Sequence, residues 1–305
     1  MITAEITLMK YFKRFNAIDL LLLSYVIVTF CFIFVFYQRI LDANLHLLFR
    51  VAFMVLIFSL PLFDKFLKIP IAQFFRIAYP LIFISFFYSE TDAFNNVFFQ
   101  NLDYHFARFD SILFGFQPSL AFYNSFPYKW FSELMNFSYF SYYFLIAIFS
   151  IYIFINDKSS FVKIIFYITC SFLIYYITFI IIPVSGPQYF FEPPHNQIPD
   201  SGIFRWLVKW VEMIGERPTA AFPSSHVGIV LILIIIALPK YLKTWYWLVP
   251  FFILLSLSTV YVKAHYAIDV IGGIISAPVV LWLSKNLFIL FKKKNLKTAY
   301  ATIDC

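Results

Sequence analysis

Leu20–Gln38 reads LLLLSYVIVTFCFIFVFYQ and carries no charged side chain. A helix needs about 20 mostly apolar residues to cross a bilayer core. The run is too long for a signal-peptide core, and no small-residue cleavage site follows it. It reads as an uncleaved first span. Similar runs recur outward from it, at about 46–63, 70–89, 132–155, 164–183, 223–239, 244–262 and 269–291. Arg50 and Arg76 fall inside the second and third runs, where each has to snorkel or pair. The sixth run is short.

Composition agrees. Of 305 residues, 62% are apolar, 23% aromatic and 13% charged, with 43 phenylalanines. Soluble domains carry about 25% charged residues. The balance excludes a water-soluble enzyme, a disordered chain, a disulfide-stapled secreted domain and a nucleic-acid binder. Cys31 and Cys170 lie in apolar runs and Cys305 ends the chain, so no disulfide framework is expected. The fold class predicted is an all-α, polytopic membrane bundle of about eight transmembrane helices. It forms a single integral membrane domain over 1–305: N-terminal spans and a loop (1–130), a core (131–291) and a basic tail (292–305).

An even span count puts both termini on one side of the membrane. Lys and Arg concentrate on that side, in Lys10, Lys13, Arg14, the short loops and Lys292, Lys293, Lys294 and Lys297. The positive-inside rule therefore predicts cytoplasmic termini and two long outward loops, about 90–130 and 184–222. Within the first loop, Asn101–Phe114 alternates polar and aromatic residues at helical spacing, which reads as an amphipathic helix lying on the bilayer.

Two histidines stand in specific surroundings. Pro223-Ser224-Ser225-His226 opens the sixth span, where Pro and Ser suit a helix start. Its unpaired N–H groups and dipole make a ready anion site; an ordinary capped helix explains the same residues. His265 and Asp269 stand one helical turn apart, at the start of the eighth span. Either they form an interfacial ion pair, or the Asp fixes one ring nitrogen and frees the other as nucleophile or base. Two spans separate the motifs, so both return to the same outward face. Arg217 and Lys263 bring positive charge beside them. Two histidines, an Asp, a helix N-terminus and two cations suit a phosphate ester without metal or cofactor. A zinc site lacks ligands, with only His195 or a loop carboxylate to add.

These residues resemble the type 2 phosphatidic acid phosphatase (PAP2) superfamily of lipid phosphatases and phosphotransferases, whose signature is K-x6-R-P, P-S-G-H and S-R-x5-H-x3-D. Pro223–His226 matches the second block with Ser225 for Gly. Ser258 to Asp269 matches the third, with Thr259 where Arg is usual. The first block is poorer: Arg217-Pro218 is present, but Lys209 stands one residue too far upstream. Lys263, one turn beyond Thr259, offers charge without the fork of an Arg. Ala220–His226, Gly186-Pro187-Gln188-Tyr189 and Phe131–Tyr143 look like the inositol-phosphorylceramide synthase branch.

The resemblance implies a PAP2-like six-helix core and a lipid phosphate or phospholipid substrate. It implies His265 as nucleophile forming a phosphohistidine, Asp269 as its orienter and His226 as acid and then base. Ser224, Ser225, Lys263 and Arg217 would bind the phosphate. Glu133 and Tyr189 are weaker substrate-binding candidates. Glu133 and Asn136 serve equally well as helix-pairing groups, and His195 reads as a plain loop histidine or part of a lid. Water as acceptor gives a phosphatase; a lipid hydroxyl gives a head-group transferase. The alternative from another class is a non-catalytic lipid scramblase or transporter on the same scaffold.

Overall fold

The computed structural model describes residues 11, 14–64, 67–195, 198, 202–215 and 217–294. Lys10, Lys13, Lys297 and Cys305 lie outside the described residues. Among those described, all regular structure is helical: α1 Ala17–Val35, α2 Ala43–Phe63, α3 Pro70–Ala78, α4 Pro80–Phe94, α5 Asp103–Phe114, α6 Pro118–Ser125, α7 Lys129–Asn156, α8 Lys158–Ile181, α9 Pro187–Phe190, α10 Ile203–Gly215, α11 Ser225–Ala237, α12 Leu242–Tyr261 and α13 Ala267–Lys294. The chain is an all-α polytopic bundle.

Among the described residues, seven stretches are long and apolar enough to cross a membrane. The third, Pro70–Phe94, comprises α3 and α4, which meet at Tyr79-Pro80. The expected sixth span falls short: α11 has 13 residues. At 1.5 Å rise per residue it reaches about 20 Å, against a hydrocarbon core of about 30 Å. Pro223 and the Ser224 cap start it late, and Leu238–Tyr241 turns the chain immediately after it.

The helices form two compact units. One takes the chain to Ile84, Ser150–Leu173 and the chain from Trp282. There Asn16 and Asp19 make a capping box at the start of α1. Asp19 also accepts a bidentate pair of bonds from Arg76 at 2.9 and 2.8 Å, and Arg76 Nε donates to Asp64 at 2.9 Å. Arg50, fully buried, donates from Nε to Thr29 Oγ1 at 2.7 Å. Both intramembrane arginines therefore pair rather than snorkel.

The other unit takes Ser85–Phe149 and Ile174–Leu281. Its frame is a close approach of α11 to α13. A Cβ on Gly273 would lie 2.6 Å from the Ser224 carbonyl oxygen. One on Gly228 would lie 2.0 Å from the Tyr175 hydroxyl. Only hydrogen fits at these positions: Gly273 lets the backbones of α11 and α13 meet, and Gly228 makes room for the Tyr175 ring.

Candidate active site

The α11–α13 joint sets the site. Ser224 N–H donates to the Asp269 carbonyl at 3.0 Å, tying the first turns of the two helices together. His226 projects from the first turn of α11. The chain leaves α12 through Lys263, in the left-handed region at φ 64°, and this turn presents His265. His265 N–H donates to the Thr259 carbonyl at 3.1 Å.

The two imidazoles meet directly, with His226 Nδ1 3.2 Å from His265 Nε2. The other nitrogen of His265, Nδ1, lies 2.8 Å from the Ala221 carbonyl oxygen. A carbonyl only accepts, so that Nδ1 carries the proton and Nε2 presents its lone pair. His226 Nδ1–H then donates to that lone pair. His226 also packs against two rings of α7: Tyr139 stacks at 5.1 Å between centroids and Tyr142 tilts against it at 4.4 Å.

Of the two readings of Asp269, its contacts fit the ion pair and not the tautomer-fixing hydrogen bond. Its Oδ2 accepts Tyr266 N–H at 2.8 Å and stands 3.6 Å from His265 Nδ1. That is ion-pair range and not a hydrogen bond. Asp269 is three residues into the helix, where a carboxylate reaches back to the cap N–H. The Ala221 carbonyl, and not Asp269, fixes the tautomer of His265.

The carbonyl is itself braced by residues that sequence reading missed. Ala221 N–H donates to the Val184 carbonyl at 2.9 Å. Next to Val184, the N–H groups of Ser185 and Gly186 both donate to Asp103 at 2.8 Å, and Tyr266 Oη donates to the same carboxylate at 3.0 Å. Asp110, two turns further along the same face of α5, accepts Ala267 and Ile268 N–H at 2.9 Å each. Burial pushes the Asp110 carboxyl up, and those two amides partly offset it. The N-terminus of α13 is therefore served by Asp110 and Asp269 and is closed to an external anion. Ala107, Val184, Ala221 and Tyr266 complete this joint as one apolar cluster. The expected helix at 101–114 is present as Asp103–Phe114, with Tyr104, Phe109 and Ile112 exposed opposite the buried aspartates. Its amphipathic spacing was the available signal; nothing in the sequence ties it to residues 82 to 163 positions away.

A cavity of about 10 Å³ opens at the histidine pair, the room of about one water. His226, His265, Arg217, Thr219, Gln188 and Tyr189 are among its walls. Arg217 and Tyr189 thus join the histidines. Lys263 instead donates to the His195 carbonyl and lies over the Tyr123 ring at 5.4 Å. Burial brings its amine down to about 8. Ser224 N–H is engaged by Asp269 and so is not offered to a phosphate; Ser224 Oγ caps Val227 N–H at 3.5 Å, and Ser225 is buried in the first turn.

Glu133 belongs elsewhere. It caps α10, accepting Phe204 and Arg205 N–H at 3.0 and 3.1 Å. Gly202, at φ 103°, passes so close that a Cβ would lie 2.1 Å from the Glu133 carboxyl carbon. Of its two readings, helix-pairing group is the one its contacts fit. Asn136 likewise donates within α7, to the Ser132 carbonyl at 2.7 Å. No group of three or more His, Cys, Asp or Glu among the described residues is arranged to hold a metal ion.

A family model described as PAP2 superfamily matches residues 106–283. The match begins in α5, upstream of the core expected from 131, and contains Asp110, Arg217, both histidines and Asp269. No curated protein and no solved structure matches the chain.

Proposed function

The chain belongs to the PAP2 superfamily, and from that premise we propose that it is an integral membrane phosphoryl-transfer enzyme acting on a lipid phosphate through a phosphohistidine. The observation that carries the reading is the imidazole pair: His265 with its lone pair on Nε2, facing His226 Nδ1 at 3.2 Å.

In the first step the His265 Nε2 lone pair forms a bond to phosphorus and the bond from phosphorus to the leaving oxygen breaks. That oxygen takes the proton of His226. In the second step His226 removes a proton from the acceptor, whose oxygen bonds to phosphorus as the N–P bond breaks and the lone pair returns to Nε2. Arg217 neutralises the phosphoryl oxygens from the cavity wall. Lys263 serves in a lesser role, by holding the His195 carbonyl. Asp269 supports the developing imidazolium of His265 across 3.6 Å. In-line attack places phosphorus about 3–3.5 Å from the nucleophile, so substrate enters by parting the histidines. No metal or cofactor has a part in these steps.

For the acceptor, the proposed branch is the inositol-phosphorylceramide synthase-like one, with a lipid hydroxyl receiving the head group. Support comes from Gln188, Tyr189, Ala220 and Ala221, which carry that likeness and line the cavity. The termini are proposed to be cytoplasmic and the site outward-facing, on the lysine distribution and with α11 counted as a short eighth crossing around which the bilayer thins.

The test is product identification by mass spectrometry. Purified protein in EDTA meets phosphatidate, other lipid phosphates, phosphatidylinositol, ceramide and diacylglycerol, beside His265→Ala. A head group moved to a new lipid, lost in the variant, supports transfer; free phosphate, also lost, means hydrolysis. Lipid movement between leaflets that survives His265→Ala, without turnover, means a scramblase and sinks the enzymatic reading.

A further inference from the structure

His226 must carry a proton when the leaving oxygen departs, yet no carboxylate is among the described residues lining its cavity. The groups that face it there are His265, Arg217, Tyr88, Tyr139 and Tyr189, with Tyr142 from the same helix as Tyr139. Two of these are cationic or become so, which disfavours a second positive ring. What His226 has instead is aromatic faces. Tyr139 lies nearly parallel to it, at 5.1 Å and 29°, and Tyr142 at 4.4 Å and 50°. Both tyrosines are buried. A cation within about 6 Å of a ring centroid is attracted by the ring quadrupole, most strongly where water is excluded. The Tyr142 hydroxyl has no hydrogen-bond partner among the described residues, so its contribution comes from the ring.

We propose that Tyr139 and Tyr142 are positioning residues for the general acid, clamping His226 and stabilising its imidazolium by their ring faces in place of a carboxylate. This rests on the proposed role of His226. The two rings stand three residues apart on α7, so they form one wall, and the register of that helix aims them at the first turn of α11.

The experiment compares two leaving groups. p-Nitrophenolate departs without a proton, whereas a lipid alkoxide needs one. Wild type, Tyr139→Phe, Tyr142→Phe, Tyr139→Leu and Tyr142→Leu are assayed on p-nitrophenyl phosphate and on the phospholipid from the product panel that wild type consumes. The Leu variants are expected to lose roughly 10–30-fold in kcat/KM on the phospholipid, the ratio that reports the first step, in which His226 is the acid. In kcat/KM on p-nitrophenyl phosphate they lose less than about threefold, and the Phe variants keep both activities. Equal losses on the two esters, or Phe as damaging as Leu, would overturn the proposal. Where a Leu variant does not fold, Met at the same position fills the space without a ring and takes its place. Wild type inactive on both esters instead refutes the phosphoryl-transfer reading itself.

Discussion

His226 Nδ1 and His265 Nε2 stand 3.2 Å apart, and the Ala221 carbonyl settles which of them gives the proton. The proposed nucleophile at rest is therefore capped by its proposed acid. The two rings act as one unit, so their losses should not add. His265→Ala is expected to abolish turnover and acid-labile phosphoenzyme. His226→Ala should cost about 10²–10⁴-fold, and the double variant should be no slower than His265→Ala. Steady-state turnover and phosphoenzyme trapping check this; additive losses would contradict the pairing.

Asp103 brings Ser185, Gly186 and Tyr266 together, and Asp110 caps the first turn of α13. Both are buried, and both satisfy amides that would otherwise be orphaned. Asp103→Asn and Asp110→Asn each replace an accepting oxygen by a donor facing a donor. Each is expected to lower stability by roughly 2–4 kcal/mol. Thermal unfolding in detergent reads the change; variants as stable as wild type would refute the bracing role.

The Lys263 amine sits at about 8 in the folded chain against the ordinary lysine value of 10.5, because burial disfavours its charge. Between those values the unfolded chain holds a proton that the folded chain has lost. Stability contributed by this group therefore rises as pH goes from about 8 to 10.5. The thermal midpoint of wild type relative to Lys263→Met should climb across that window. A flat difference curve would show the amine to be solvated.

Glu133 caps α10 and packs against Gly202. Glu133→Ala removes the cap, and Gly202→Ala forces a side chain into the carboxylate at a positive φ. Both should lower stability by about 1–3 kcal/mol while leaving KM within about twofold. A large KM change at unaltered stability would return Glu133 to the substrate site.

The membrane helices are legible in the sequence because an apolar run of bilayer length has few other meanings, and the histidine motifs because helical spacing fixes which residues share a turn. Even Glu133 is visible as a polar residue in a span. Its partners are not, since the amides it caps belong to the first turn of α10, some 70 residues on, and no local pattern states where that helix lies. Asp103 and Asp110 hide for the same reason: they read as the polar side of an amphipathic helix. Asp269 stands out in the sequence, and spacing puts it in ion-pair range of His265, but it does not tell which N–H its oxygen accepts. It lies one turn from His265, whereas the cap N–H of its own helix competes for its oxygen and lies nearer. Lys263 reads as charge for the pocket, but its left-handed turn sends it to the His195 carbonyl.

Gly273 seats the Ser224 carbonyl against α13, and Ser224 N–H is bonded to Asp269 across the same joint. Those contacts make the carriers of the two histidines a fixed frame. Admission of a phosphate between the rings then falls to side-chain rotation and to the short Arg217–Phe222 segment. Such motions run in nanoseconds to microseconds, whereas sliding of packed helices takes microseconds to milliseconds. For an enzyme of ordinary turnover, about 1–10³ s⁻¹, gate opening is too fast to set the rate. The slow event is left to bond-making at phosphorus or to the departure of an apolar product into the bilayer.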